Sequence, residues 1–429
     1  MSLNFLKKIN KQAGFASIYI LTFMILIFHE AIYTPDTYSY LHASIYRSPG
    51  YVLFVKLFQF IFQGYFNFFT VAFQLLLGLF AVHLVRTKVS KVLKLHILSE
   101  LIFLGLLIFP FFGPLYIANN ICSEGLSYPF YLLCIAFTVE FLDNYKLKSF
   151  WLLLGSFVLL ALTRGQFIVL PIIVAVIYII KIKKLALKKD HLKKIVLLLL
   201  IPFVISLMDK TYHKLKDNLF VSTPFTNICL SGAAFYVSEA SDMHSLTNED
   251  DKNIFEDCYN FLDENGWMLS SKERDSYKDY YKHFHDNLGK ICNYTVHDRG
   301  TEYFLNRGYS MAEAHVGIEN SSGNIVRVLI KNNFEKWIKL YYSNLIHGFK
   351  SELLMLFMVL VFILSGIKFF MSNNKYVLYL FLFSSLILSN ALIVAIACHS
   401  IMRYLFYNYS LFFLIFIILF KLLKHEKKA

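Results

Sequence analysis

Long apolar runs recur along this chain, separated by short stretches that hold most of its lysines. A helix crosses a bilayer with about 17–25 apolar residues, fewer where aromatic side chains sit at its ends. By that measure the pattern predicts spans near 14–28, 66–85, 97–112, 126–142, 150–163, 167–180, 195–208, 352–371, 376–396 and 404–420. Two stretches read either way until the basic clusters are placed. The N-terminus, Arg86 to Lys94, Lys146 with Lys148, Lys181 to Lys194, Lys368 with Lys375 and the tail Lys421 to Lys428 together hold 22 Lys and Arg. The short loops between them hold four: Arg47, Lys56, Arg164 and Arg403. Cytoplasmic loops carry the excess of positive charge, so the clusters are expected inside.

That assignment resolves both stretches. A single helix from Trp151 to Ile180 would put the seven lysines of 181–194 outside, so two spans meeting in a tight turn are predicted, with Arg164 at the outer face. Counting Tyr51–Gln63 as a span would carry Arg86 to Lys94 outside. It is expected instead to be a helix lying on the outer interface. The fold class that follows is an all-α polytopic membrane protein of ten spans, N-in and C-in. The basic, apolar N-terminus lacks an A-x-A-like cleavage site and reads as a retained first span.

The stretch 209–350 breaks the pattern, being polar and mixed in charge. Thr247-Asn-Glu-Asp250 resembles a capping box ahead of apolar residues at helical spacing, ending near Gly266. Ser271-Lys-Glu-Arg274 begins a second amphipathic helix, and Asn324 to Phe349 reads as a third that returns to the membrane. The expected organisation is therefore a seven-span module over 1–208, whose first outer loop covers about 30–65. A helical extracytoplasmic domain over 209–350 and a three-span module over 351–429 follow.

Composition agrees: 57% of the residues are hydrophobic and only 17% charged, too few polar residues to surround a soluble core of this length. The formal charge of +13 does not mark a nucleic-acid face. Positions 209–350 hold 16 basic and 20 acidic residues, and the excess lies in the clusters between apolar runs. Six cysteines include no C-x-x-C pair; no cofactor is expected, with a divalent metal left open. Cys229, Cys258 and Cys292 fall in the large loop, where a disulfide and plain burial are both open readings.

In such a chain the informative ionisable residues are those outside the basic clusters. Topology gathers His29, Glu30, Asp36, His42, Arg47, Lys56, Glu124, Arg164, His399 and Arg403 at the outer surface. A carboxylate with several cations there suits an anionic lipid head group and a hydroxyl awaiting a base. Each also has a plain structural reading. Asp36 can cap the helix that follows, Glu124 can favour a helix start, the arginines can reach lipid phosphates, and the histidines can be packing residues.

The first outer loop reads Pro35-Asp-Thr-Tyr-Ser-Tyr40 and then Arg47-Ser-Pro-Gly-Tyr-Val-Leu-Phe54. This resembles the first loop of GT-C glycosyltransferases, an Asp followed by Tyr and then a basic-Pro-Pro/Gly-Tyr run opening an amphipathic helix. Ser123-Glu124-Gly-Leu, Leu162-Thr-Arg164, Val326 to Tyr342 and His399-Ser-Ile-Met-Arg403-Tyr404 continue the similarity in order along the chain, nearest the aminoarabinose and protein O-mannosyl types. The family often has two acids together in this loop, whereas Thr37 follows Asp36 here and Glu30 is the other acid nearby.

The resemblance implies an enzyme of the plasma (bacterial inner) membrane that modifies a cell-envelope glycan or lipopolysaccharide on the extracytoplasmic face. It takes a sugar from a polyprenyl-phosphate donor to a glycan, lipid or protein acceptor, with inversion. Asp36 is then the base; Glu30, Tyr38, Tyr40, Arg47, Glu124, Arg164, His399 and Arg403 would bind donor or acceptor. The chemistry is consistent with one catalytic carboxylate, because the departing phosphate is already an anion and needs no general acid. Other classes share features. An O-antigen-type polymerase or ligase would line the large loop with arginines, and this loop has only Arg274, Arg299, Arg307 and Arg327. A lipid-linked sugar transporter or flippase would break its helices at mid-bilayer. A membrane acyltransferase would carry its His deeper in a span.

Overall fold

The structure is a computed structural model that describes residues 3–271, 276–372 and 374–426. Met1, Ser2, positions 272–274 at the expected start of the second domain helix (Arg274 among them), and Lys427 and Lys428 of the tail lie outside the described residues. Among those described there are helices and no strands, the nearest approach being a single parallel bridge between Ile32 and Asn120.

Among the described residues seven segments are long and apolar enough to cross a membrane: Pro49–Leu93, Glu124–Asn144, Gly165–Ile182, Lys189–Asp217, Glu352–Met371, Lys375–Ala397 and Met402–Lys424. Three of the ten expected spans are shorter apolar helices, Lys11–Ile27, Ile97–Phe111 and Leu147–Thr163. They fall at or below the lower end of the roughly 17–25 residues a span uses.

Two compact units account for the described chain: residues 1–44, 48–201 and 416–429 form the first, and 45–47 with 202–415 the second. In the first unit the helices are α1 (Leu3–Ile27), α2 (Thr37–Leu41), α3 (Pro49–Phe62), α4 (Phe66–Leu93), α5 (Ile97–Ile108), α6 (Glu124–Asn144), α7 (Leu147–Thr163), α8 (Leu170–Ile182) and the first part of α9 (Lys189–Asp217). Helix α6 packs against both α4 and α7 and is the most buried of the long helices.

The interfacial segment of the sequence reading is α3, which ends at Gln63 with φ 46°. It then turns back onto the start of α4, stacking Phe62 on Phe69 at 4.0 Å and placing Phe58 5.5 Å from Phe73. The long apolar run 151–180 breaks at Arg164, whose extended backbone (φ −154°, ψ 109°) ends α7 and leads into a short turn before α8. Arg86, the first residue of one of the basic clusters, is buried. It donates to Glu100 at 2.9 Å, and Lys11 meets the other oxygen of that carboxylate at 2.6 Å.

The second unit contains α10 (Thr226–Val237), α11 (Glu249–Glu264), α12 (Tyr277–Gly289), a π-helical segment (Lys290–Arg299), α13 (Gly300–Leu305), α14 (Met311–Asn332) and α15 (Phe334–Phe349). Then come α16 (Glu352–Met371), α17 (Lys375–Ala397), α18 (Met402–Leu405) and the first part of α19 (Tyr409–Glu426), whose residues from Phe416 on belong to the first unit. Phe235, Phe255, Cys258, Phe284, Ile318 and Leu329 form the core of its polar part.

Local signals shift by a residue or two from their expected places. The cap of α11 is Asn248, which accepts from the Asp250 amide at 2.8 Å, rather than Thr247. The expected helix 324–349 is two helices that break at Asn333. There the buried Asp242 carboxylate accepts from the Asn333 amide at 2.7 Å and from Asn332 at 2.9 Å. Ser310 and Glu313 form a complete capping box that begins α14.

Candidate functional site

The loop that follows α1 and the loop that precedes α6 are zipped together in the first unit. Backbone bonds run from Ile32 N–H to Asn119 O (2.8 Å) and from Ile121 N–H to Ile32 O (3.0 Å). The Asn119 amide reaches back to the carbonyls of Leu26 and His29, each at 3.0 Å. Thr37 adds a buried hydroxyl that donates to Ile121 O at 2.9 Å and accepts from Thr34 N–H at 2.8 Å. The turn 34–37 is thereby fixed on the segment that leads into α6.

Asp36 lies at the N-cap position of α2 but makes no side-chain cap bond. A capping role, the plain reading of a Pro-Asp-Thr turn, is therefore not what its carboxylate does. Its Oδ2 faces the Cys122 thiol at 4.0 Å, and its backbone carbonyl accepts from Ser39 at 2.7 Å. Two residues beyond Cys122, Glu124 opens α6, where a carboxylate is favoured by the helix dipole. It is nearly out of water, and Arg164 meets it with an Nη1–Oε1 distance of 2.7 Å. Arg164 also donates to Gln166 at 2.7 Å and approaches Ser123 at 3.4 Å.

The floor beneath this cluster is held by an amide inside an otherwise apolar helix. Gln74 of α4 donates to Ala118 O (2.8 Å) and Asn120 O (3.1 Å) and accepts from the buried Tyr51 hydroxyl (3.0 Å). Gly125 must be glycine for this to fit, since a Cβ there would lie 2.3 Å from the Gln74 amide. Gly50 of the first-loop motif is pressed in the same way on the Leu162 carbonyl, 2.8 Å from where its Cβ would be. Tyr40 packs edge-on against Tyr51 at 4.9 Å. Asp36, Tyr40, Glu124 and Arg164 thus come together from three loops.

The remaining sequence candidates are described within their own units. Glu30 is exposed, and Tyr38 is 69% exposed and stacked on His42 at 3.9 Å. Arg47 belongs to the second unit, 5.3 Å over the Tyr46 ring. Tyr46 in turn sits among Phe225, His297 and His315 at 5.0–5.5 Å. His399 and Arg403 are also in the second unit. The Nδ1 of His399 is 2.9 Å from that of His285, so one ring donates to the other. Tyr281, whose hydroxyl donates to Ser400 O at 3.2 Å, stacks on His285 and His347. Burial and the neighbouring His285 push His399 down to about 4, and burial with Lys350 does the same to His347. His399 is therefore a neutral imidazole at neutral pH.

Sequence reasoning missed Ser123, Cys122, Gln74 and Tyr51 in the first cluster, and His285 and His347 in the second. Gln74 carried a usable signal, a lone amide inside an apolar run. Among the described residues no group of three or more His, Cys, Asp or Glu side chains is arranged to hold a metal ion.

Two measurements bear on this geometry. Removing one member of a buried ion pair costs about 3–5 kcal/mol, far more than replacing both. Arg164→Gln and Glu124→Gln are expected to lower the unfolding midpoint separately, and the double variant to lower it by less than their sum; strict additivity would mean the pair carries no coupling. The second measurement is pH dependence. An unfolded His binds its proton near 6.5, whereas folded His347 and His399 bind theirs near 4. As pH falls from about 6.5 toward 4 the unfolded state takes up more protons, so stability drops across that window. His399→Gln should flatten the slope of midpoint against pH, and parallel profiles would show that His399 contributes nothing to it.

No family model, no curated protein and no solved structure matches this chain.

Proposed function

We propose that this protein is a multi-pass membrane glycosyltransferase of the GT-C kind. In this reading it has ten spans, the helices Lys11–Ile27, Ile97–Phe111 and Leu147–Thr163 joining the seven longer ones, with both termini cytoplasmic. It resides in the plasma (bacterial inner) membrane and moves a sugar from a polyprenyl-phosphate donor to a glycan, lipid or protein acceptor on the outer face. The observation that carries the reading is the convergence of Asp36, Glu124 and Arg164 from three loops onto one fixed segment, 122–124. All three loops carry motifs that resemble the family.

The roles follow from charge and position. Asp36 takes the proton of the acceptor hydroxyl as its oxygen attacks the anomeric carbon. The bond from that carbon to the phosphate oxygen breaks on the opposite side, the configuration inverts, and polyprenyl phosphate leaves as an anion. Arg164 is matched by Glu124 and serves to hold the floor rather than to neutralise the phosphate. That task is assigned to Arg47 and Arg403, the other two arginines of the family-like motifs. His399, being neutral, offers a hydrogen bond to the donor rather than a charge.

Two experiments test the proposal. Reporter fusions after Leu95, Ala186 and Ala429 should read cytoplasmic and one at Asn248 external; an external signal at Ala186 would merge the spans on either side of Arg164 and reverse the scheme. With purified enzyme and a polyprenyl-phosphate sugar, Asp36→Asn should fold normally and lose about 10²- to 10⁴-fold in transfer. Glu30→Gln should be milder, and Arg403→Ala should weaken donor binding and transfer together. Near wild-type transfer by Asp36→Asn, with the donor still bound, would remove Asp36 from the mechanism.

A further inference from the structure

We propose that Cys229 and Cys292 form a redox-active dithiol pair that closes into a disulfide and staples α10 to the π-helical segment. The second unit holds three cysteines in its polar part, and sequence spacing cannot pair an odd number. Packing does. The Cys292 thiol donates to the carbonyl of Ile228, the residue before Cys229, at 3.2 Å. Gly232, one turn further along α10, lies so close that a Cβ there would be 3.4 Å from the Cys292 Cβ. Cys292 is thus seated on the turn of α10 that carries Cys229. Cys258 comes to the same segment from α11, but its thiol points at Thr295 O at 3.9 Å. It is the cysteine left over.

Exposure sets the order of the chemistry. Cys229 is partly exposed and Cys292 buried, so Cys229 meets the oxidant first. Its thiolate attacks one sulfur of a disulfide donor, giving a mixed disulfide and releasing one thiolate. The Cys292 thiolate then attacks the Cys229 sulfur and releases the second. Two protons leave the protein and its two electrons reduce the donor's disulfide to a dithiol. Hydrogen bonding to Cys292 and burial hold the Cys229 thiol well above its ordinary range, while Arg47 pulls the other way. Closure therefore requires a reactive disulfide, such as oxidised glutathione or a protein disulfide donor, and is slow without one.

The staple would act on a particular place. The start of α10 also carries Phe225, which packs on Tyr46, and the amides of Asn227 and Ile228, both bound by Glu319 at 2.9 and 3.1 Å. Fixing this turn fixes the seat of the Tyr46–Arg47 segment.

The test uses full-length protein in detergent, treated with oxidised glutathione or with dithiothreitol, then alkylated and mapped by mass spectrometry. The oxidised sample should yield one cross-linked peptide joining Cys229 to Cys292, two hydrogens lighter than the reduced pair. Its unfolding midpoint should exceed that of the reduced sample by roughly 5–10 °C. Cys229→Ser and Cys292→Ser should each abolish both effects, and Cys258→Ser should leave both in place. A cross-link that joins Cys258 to either partner, or no cross-link in folded wild-type protein, would overturn the proposal.

Discussion

Glu124 lies almost wholly out of water at the first turn of α6, and a carboxylate in that position is tolerable because Arg164 meets it at 2.7 Å. The pair constrains everything around it. Arg164 cannot continue α7 through the apolar layer, so the chain adopts extended backbone there and begins again at α8. The segment before Glu124 is then fixed, and with it the loop that carries Asp36, because Thr37 and Ile32 bond to residues 119–121. A charge buried at a helix end thus dictates the break in one helix, the start of another and the placing of a third loop.

Polar groups inside apolar surroundings recur as the organising device. Gln74 satisfies two carbonyls of the second loop and one tyrosine hydroxyl, and Gly125 gives it room. Glu100 does the same between Arg86 and Lys11. Asp242 gathers the amides where α14 gives way to α15. Each is a buried donor or acceptor whose partners must be supplied by the fold, since leaving one unmet costs about 1–3 kcal/mol or more. These are the places where the chain has one acceptable arrangement.

The proposed chemistry depends on the same economy of charge. A base that must take a proton at the right moment needs a position defined by its backbone, and the 34–37 turn supplies that through Thr37. His347 and His399 of the second unit follow the opposite logic: burial excludes the charged form and leaves hydrogen bonding as their means of acting.

Much of the architecture was legible in short-range pattern. Apolar run length marked the long helices, and the lysines of 181–194 marked the break between α7 and α8, because one helix over 151–180 would have parted them from the other basic clusters. The polar stretch 209–350 read as helical from its periodicity and caps, with errors of a residue at Asn248 and a missed break at Asn333. Other features were not legible. That Glu124 belongs to Arg164, forty positions later, that Gln74 holds residues 118 and 120, that Arg86 is buried on Glu100, and that the Cys292 thiol reaches the Ile228 carbonyl depend on which helices lie side by side. A residue's own sequence neighbours fix its period, its cap and its exposure to a bilayer or water. The partner of a buried charge, amide or thiol is fixed by packing, because only the assembled helices bring distant groups within the 3–4 Å at which such groups bond.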